Sequence, residues 1–148
     1  GPSVYRSIIG VDIQSGQARW LGAQFPYLSA NLDFSGESSL ASQFTNLIQD
    51  SKAFQSPLSD LAAAAAARKL ARAATVTKNG QTFGVIGVTT PILASITSVG
   101  GVQVKQPGAG SNDMALLASQ VQPVIDEVRA LGIDKIILVT HLQQIALE

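Results

Sequence analysis

The clearest alternation of apolar and polar positions lies in the second half of the chain. Phe83-Gly84-Val85-Ile86-Gly87-Val88 is apolar on both faces, as a central strand covered from each side must be. Ala74 to Lys78 precedes it, and Asn79-Gly80 between them is the preferred pair of a two-residue type I′ turn, so Ala74 to Thr89 predicts a β-hairpin. Its second arm ends in Thr89-Thr90-Pro91, where polar groups collect at a strand end. From Asn112 to Leu131, the positions Leu117, Val121, Val124, Ile125, Val128 and Leu131 recur at helical spacing and predict a helix with one buried face. Pro123 falls inside that pattern and is expected to kink or split the helix. Gly132 is the expected stop, and Ile133 to Val139 reads as a buried strand running into Thr140-His141-Leu142.

Earlier segments are less regular. Val4, Ile8 and Tyr5 share a helical face between Ser3 and Ile9, and a loop from Gly10 to Gly22 follows. Phe25-Pro26 punctuates the chain ahead of a short strand, Tyr27 to Ala30, that ends at Asn31. Asp33 to Asp50 is polar and serine-rich and reads as a surface excursion. Ser56 suits the cap of a helix beginning at Pro57, with Asp60 in its first turn, Ala62 to Ala67 as helix-favouring filler, and Arg68, Lys69 and Arg72 near its end. Val102-Gln103-Val104, stopped by Pro107, suggests an edge strand. Strand, helix, tight turn and strand in this order predict an α/β fold.

Composition narrows the picture. A chain of 148 residues with 46% hydrophobic content and mean hydropathy +0.25 is enough for one domain with a buried core. Ten basic and ten acidic residues give a formal net charge of +0, so neither nucleic acid nor an anionic membrane surface is expected as a partner. No apolar run approaches a membrane span, and Gly1-Pro2-Ser3 lacks the basic and apolar regions of a signal peptide, which predicts a soluble chain with no address at its start. Absence of cysteine excludes disulfides and thiolate metal sites and leaves the compartment open.

His141, the single histidine, is the residue on which chemistry can be built. Ligands gather beyond the carboxyl ends of parallel strands, where Thr140, Gln143 and Gln144 add polar groups. A strand-end histidine bonded to a carbonyl is the competing reading. No second histidine completes a metal site; Asp134 sits at the opposite end of the strand, and Asp33, Glu37 and Asp50 have no motif spacing. Gly84 and Gly87 lack dinucleotide-fingerprint spacing and instead suggest close packing of a helix on the strand. No phosphate loop, nucleophile elbow or cysteine nucleophile is present. Trp20 reads as partly buried structure in a loop.

Three segments taken in order resemble one family: Phe25-Pro-Tyr-Leu-Ser-Ala-Asn31, Lys78 through Pro91, and Val124 through Leu142. Together they are similar to the metallophosphoesterase domain of the 5′-nucleotidases, nearest to bacterial secreted alkaline phosphatases and 5′-nucleotidases. That resemblance covers most of the chain from Phe25 onward. It implies a four-layer αββα sandwich with a mixed sheet, of which residues 1–148 form an internal piece, and a periplasmic or extracellular parent. It also implies hydrolysis of a phosphate ester or nucleotide by water activated on two divalent metals, with His141 as one ligand.

The resemblance carries over no other ligand. The family's Asp-x-His and Gly-Asn-His motifs are expected before Gly1 and its Gly-His-x-His motif after Glu148. The chain alone is therefore expected to bind no metal pair and to be inactive, and Asn31 reads as a structural strand-end residue. Two further readings stay open: a non-catalytic α/β binding or interaction domain with a structural His141, and a complete hydrolase using His141 as a base. If, as the resemblance implies, the family's first strands lie outside residues 1–148, the sheet loses neighbours that normally pair with it, and strands as apolar as Phe83 to Val88 and Ile133 to Val139 predict self-association, with exchange of the segment before Phe25 as one route; the alternative is that Asp33 to Pro57 folds back over the edge and the chain stays a monomer.

Overall fold

A computed structural model describes residues 22–56, 68–105 and 113–142, and every structural statement concerns these. The expected helix at Ser3 to Ile9, the loop holding Trp20, the helix body from Pro57 through Ala67, Pro107, Gln143 and Gln144 all lie outside the described residues. The elements are β1 (Tyr27–Leu28), β2 (Leu32–Asp33), α1 (Ser38–Ala41), β3 (Phe44–Thr45), β4 (Gln49–Asp50), a 3₁₀ turn (Ser51–Phe54), β5 (Leu70–Ala71), β6 (Ala73–Lys78), β7 (Gln81–Thr89), α2 (Leu93–Ile96), β8 (Gln103–Val104), α3 (Met114–Ala130) and β9 (Lys135–His141). The fold is α/β with mixed sheets.

The predicted hairpin forms. β6 and β7 pair antiparallel from Ala73 opposite Ile86 to Lys78 opposite Gln81. Asn79 at φ 52° and Gly80 at φ 74° make the turn, since type I′ needs positive φ at both central residues. The main sheet runs β4-β6-β7-β9, with β4 parallel to β6 and β9 parallel to β7. A second sheet runs β1-β5-β3, all parallel, and β2 pairs antiparallel with β8. Only Arg72 separates β5 from β6, so one stretch of chain changes sheets at that residue.

One face of β7 packs against α3. Ile86 and Val88 meet Leu117, Val121, Val124 and Val128 in the principal core, with Ile125 half-buried beside them. Gly84 makes this approach possible, because a Cβ there would collide with Val128 Cγ1. Gly87 differs from expectation: what lies against it is the backbone carbonyl of Leu28 in β1, not a helix. Asp113 caps α3 by accepting from Leu116 N at 2.9 Å, and Gly132 ends the helix region at φ 81°.

Several expectations are corrected. α3 runs unbroken through Pro123; Pro123 and Ser119 are both on its exposed side, where water can serve a carbonyl left without its helical donor. Leu131 is 58% exposed because the helix has ended and its side chain passes the core. Asp33 to Asp50 is more than an excursion: it supplies β3, β4 and α1, and Phe34 is buried with Leu70 and Val102. The expected helix does not extend to Arg72: Leu70–Ala71 is strand, held between β1 and β3, so Arg68 and Lys69 lead into β5 and Arg72 follows it. β9 is an edge strand, exposed at six of its seven positions, because no described element pairs with its outer side. Of the two strands expected to be buried, only β7 is central.

Candidate functional site

The ends of three separate segments converge at one rim. In the parallel register of β7 and β9, Thr89 stands opposite His141, and the amide of Thr90 donates to the His141 carbonyl at 3.0 Å. Residues in register on neighbouring strands, about 4.8 Å apart, share a sheet face. His141 therefore lies beside the end of β7, as its strand-end position predicts, although its own strand is the outermost.

Asn31 locks the other side of Thr89. Its Nδ2 donates to Thr89 O at 2.8 Å, while its Oδ1 accepts from Thr89 N at 2.9 Å and from Ser29 Oγ at 3.2 Å. Ser29 Oγ and Thr89 Oγ1 are also bonded at 2.8 Å. With Asn31 at 0% exposure, its amide substitutes for a backbone partner that β7 lacks at its last residue. Its structural reading holds. Thr90 is buried by the same packing, at 2% exposure, and its Oγ1 has no hydrogen-bond partner among the described residues. A cavity of about 250 Å³ opens beside Thr89, lined by Tyr27, Ser29, Phe34, Leu40 and Leu70 among others.

Carboxylates are engaged elsewhere. Asp33 accepts from Ser35 N, which holds its carboxyl below the usual range. Glu37 accepts from Ser39 Oγ, and Asp50 caps the 3₁₀ turn through Lys52 N. Glu127 is paired in two contacts with Arg72, and that hydrogen bonding lowers its pKa. Asp134 precedes β9 while His141 ends it. No three His, Cys, Asp or Glu side chains come together among the described residues. One histidine does not make a donor set for a metal pair, so among the described residues His141 does not fit such a pair on its own.

Sequence reasoning does not single out Lys69. Its side chain is fully buried, donating from Nζ to Phe54 O and Ser56 Oγ at 2.6 Å each. Its backbone joins β1 and the approach to β3 through Tyr27 N and Gln43 O. Burial pushes its pKa down. The available signal is a lysine directly beside the apolar pair Leu70-Ala71.

No protein-family model matches the chain, and no curated protein matches it. Among solved structures it is similar to a 5′-nucleotidase precursor from Thermus thermophilus, at 25% identity and a TM-score of 0.48, over 80% of this chain and 16% of that one. The chain thus spans about a sixth of that protein's length.

Proposed function

We propose that this chain is part of a two-metal phosphoesterase of the 5′-nucleotidase or secreted alkaline phosphatase type, acting on phosphate esters in the periplasm or outside the cell, to which it contributes His141 as one metal ligand. The observation that carries this reading is the convergence of Asn31, Thr89 and His141. They lie at or near the ends of the three segments that resemble the family, and they meet at one strand-end rim although they are far apart in sequence. A rim at the carboxyl ends of parallel strands is where an α/β sheet places a site.

Within this reading, the chain's own residues position and do not react. Asn31 fixes the end of β7, β7 fixes the register of β9, and β9 presents His141. This reading requires the remaining donors to come from outside residues 1–148 and expects no hydrolysis by the isolated chain.

Kinetic assay of an aryl phosphate with manganese, zinc or calcium tests this. The isolated chain should show no turnover above buffer. A longer polypeptide from the native reading frame, carrying Asp-x-His and Gly-Asn-His upstream and Gly-His-x-His downstream, should show turnover that His141→Ala lowers by at least about 100-fold, since even residues behind the ligands are worth roughly 10–100-fold. Turnover by the isolated chain that vanishes in His141→Ala would overturn the fragment reading. A reading frame without those motifs would favour a binding domain with a structural His141.

A further inference from the structure

The hydroxyls at the rim are polarised in one direction. Both backbone groups of Thr89 fix the orientation of the Asn31 amide: Nδ2 donates to Thr89 O, so Oδ1 is the atom that accepts from Thr89 N. Ser29 Oγ lies 3.2 Å from that Oδ1 and can only donate to it, which uses the one proton a serine hydroxyl has. In the 2.8 Å bond between Ser29 Oγ and Thr89 Oγ1, Thr89 is therefore the donor. Thr89 Oγ1 is left with lone pairs alone, so any further partner has to bring the proton. It has none to offer a phosphate oxygen.

His141 stands in register with Thr89 and shares its sheet face. Its side chain is exposed, and its imidazole has no hydrogen-bond partner among the described residues. Neighbouring strands ~4.8 Å apart bring Nδ1, the ring nitrogen nearer the backbone, within reach of a hydroxyl on the facing residue. We propose that Thr89 Oγ1 accepts the Nδ1–H of His141, which holds the neutral imidazole in the Nδ1–H tautomer and leaves the Nε2 lone pair free. Thr89 and, behind it, Ser29 are thus positioning residues for His141. A histidine that binds a metal or moves a proton has its tautomer set by the bond its other nitrogen makes. The bond lies within this chain, and the inference rests on the proposed function only for the use made of Nε2.

A single histidine makes the readout unambiguous. Long-range proton–nitrogen NMR correlations of the native chain, recorded with a chelator in mildly alkaline buffer where an imidazole is neutral, give both ring-nitrogen shifts and so the tautomer. The native chain should show mainly Nδ1–H, against the Nε2–H preference of a solvated imidazole. Thr89→Val keeps the side chain's shape and removes the acceptor. It should shift the ratio of the two forms at least about twofold toward Nε2–H, since a net hydrogen bond is worth a factor of roughly 2–10, and Thr89→Ser should keep the native ratio. Ser29→Ala frees the Thr89 proton to donate to Nδ1 and should shift the ratio the same way. A native chain mainly in the Nε2–H form, or a ratio unchanged in folded Thr89→Val or folded Ser29→Ala, would each overturn the proposal. If either variant fails to fold, the tautomer of the native chain decides alone. Metal content of a longer polypeptide reads the ligand assignment separately, so the two can fail independently.

Discussion

Thr89 is clamped from both sides: the amide of Asn31 closes two hydrogen bonds to its backbone, and His141 lies opposite it in the parallel ladder. Position of the histidine thus depends on a buried asparagine more than a hundred residues earlier in the chain, through a single strand end.

Replacing Asn31 by Ala leaves Thr89 N and Thr89 O without their partners in a part-buried setting. The expected loss is about 2–6 kcal/mol, the sum of two orphaned groups at roughly 1–3 kcal/mol each. Urea denaturation measures it. A loss below about 0.5 kcal/mol would mean that water replaces the clamp at little cost.

Two glycines of β7 are predicted to differ. Gly84→Ala meets a side chain, Val128 Cγ1, whereas Gly87→Ala meets the Leu28 backbone, which cannot rotate away. Gly84→Ala should cost about 1–3 kcal/mol, the usual range for overpacking, and Gly87→Ala should cost more. Adding Val128→Ala should rescue part of the Gly84→Ala loss, a coupling of about 0.5–3 kcal/mol in a double-mutant cycle. Equal losses at the two glycines, or strict additivity, would contradict the packing described.

Stability should respond to pH at two ends of the scale. Hydrogen bonding by Arg72 lowers Glu127's folded-state pKa below 4.5, so the pair's contribution is present above that value and is lost as pH falls through the folded-state value. Because Glu127 is about half exposed, the contribution is about 0.5–1 kcal/mol. Comparing Glu127→Gln with the native chain from neutral to acid pH should show the difference shrinking. Lys69 acts in the opposite range: burial lowers its folded-state pKa below 10.5, so the unfolded chain binds more protons and stability rises with pH up to that value. The native chain should gain on Lys69→Met between neutral pH and 10.5, and a constant difference would contradict the burial of Lys69.

Elements with a strong local signal are legible in the sequence. Asn79-Gly80 dictates its own turn, and the spacing of Leu117, Val121, Val124 and Val128 dictates the buried face of α3. The rim is legible as well, because β7 and β9 each end in polar residues after an apolar run. Strands of two residues such as β2, β3 and β4 are too short to show a period, and their existence depends on partners far along the chain. Basic residues after an alanine run read as a helix end, which hides both β5 and the burial of Lys69. An apolar strand reads alike whether a neighbour covers it or not, so the edge position of β9 is invisible in sequence. Asn31 looks like an ordinary strand end, and its bonds to Thr89 become evident only in three dimensions.

Metal content tests the central claim most directly. If a longer native reading frame carries Asp-x-His, Gly-Asn-His and Gly-His-x-His motifs, as the proposed function requires, elemental analysis of that polypeptide after dialysis should find two divalent ions per chain and a clear loss in His141→Ala, with circular dichroism unchanged. Metal content that His141→Ala leaves at the native level would contradict the assignment of His141 as a ligand.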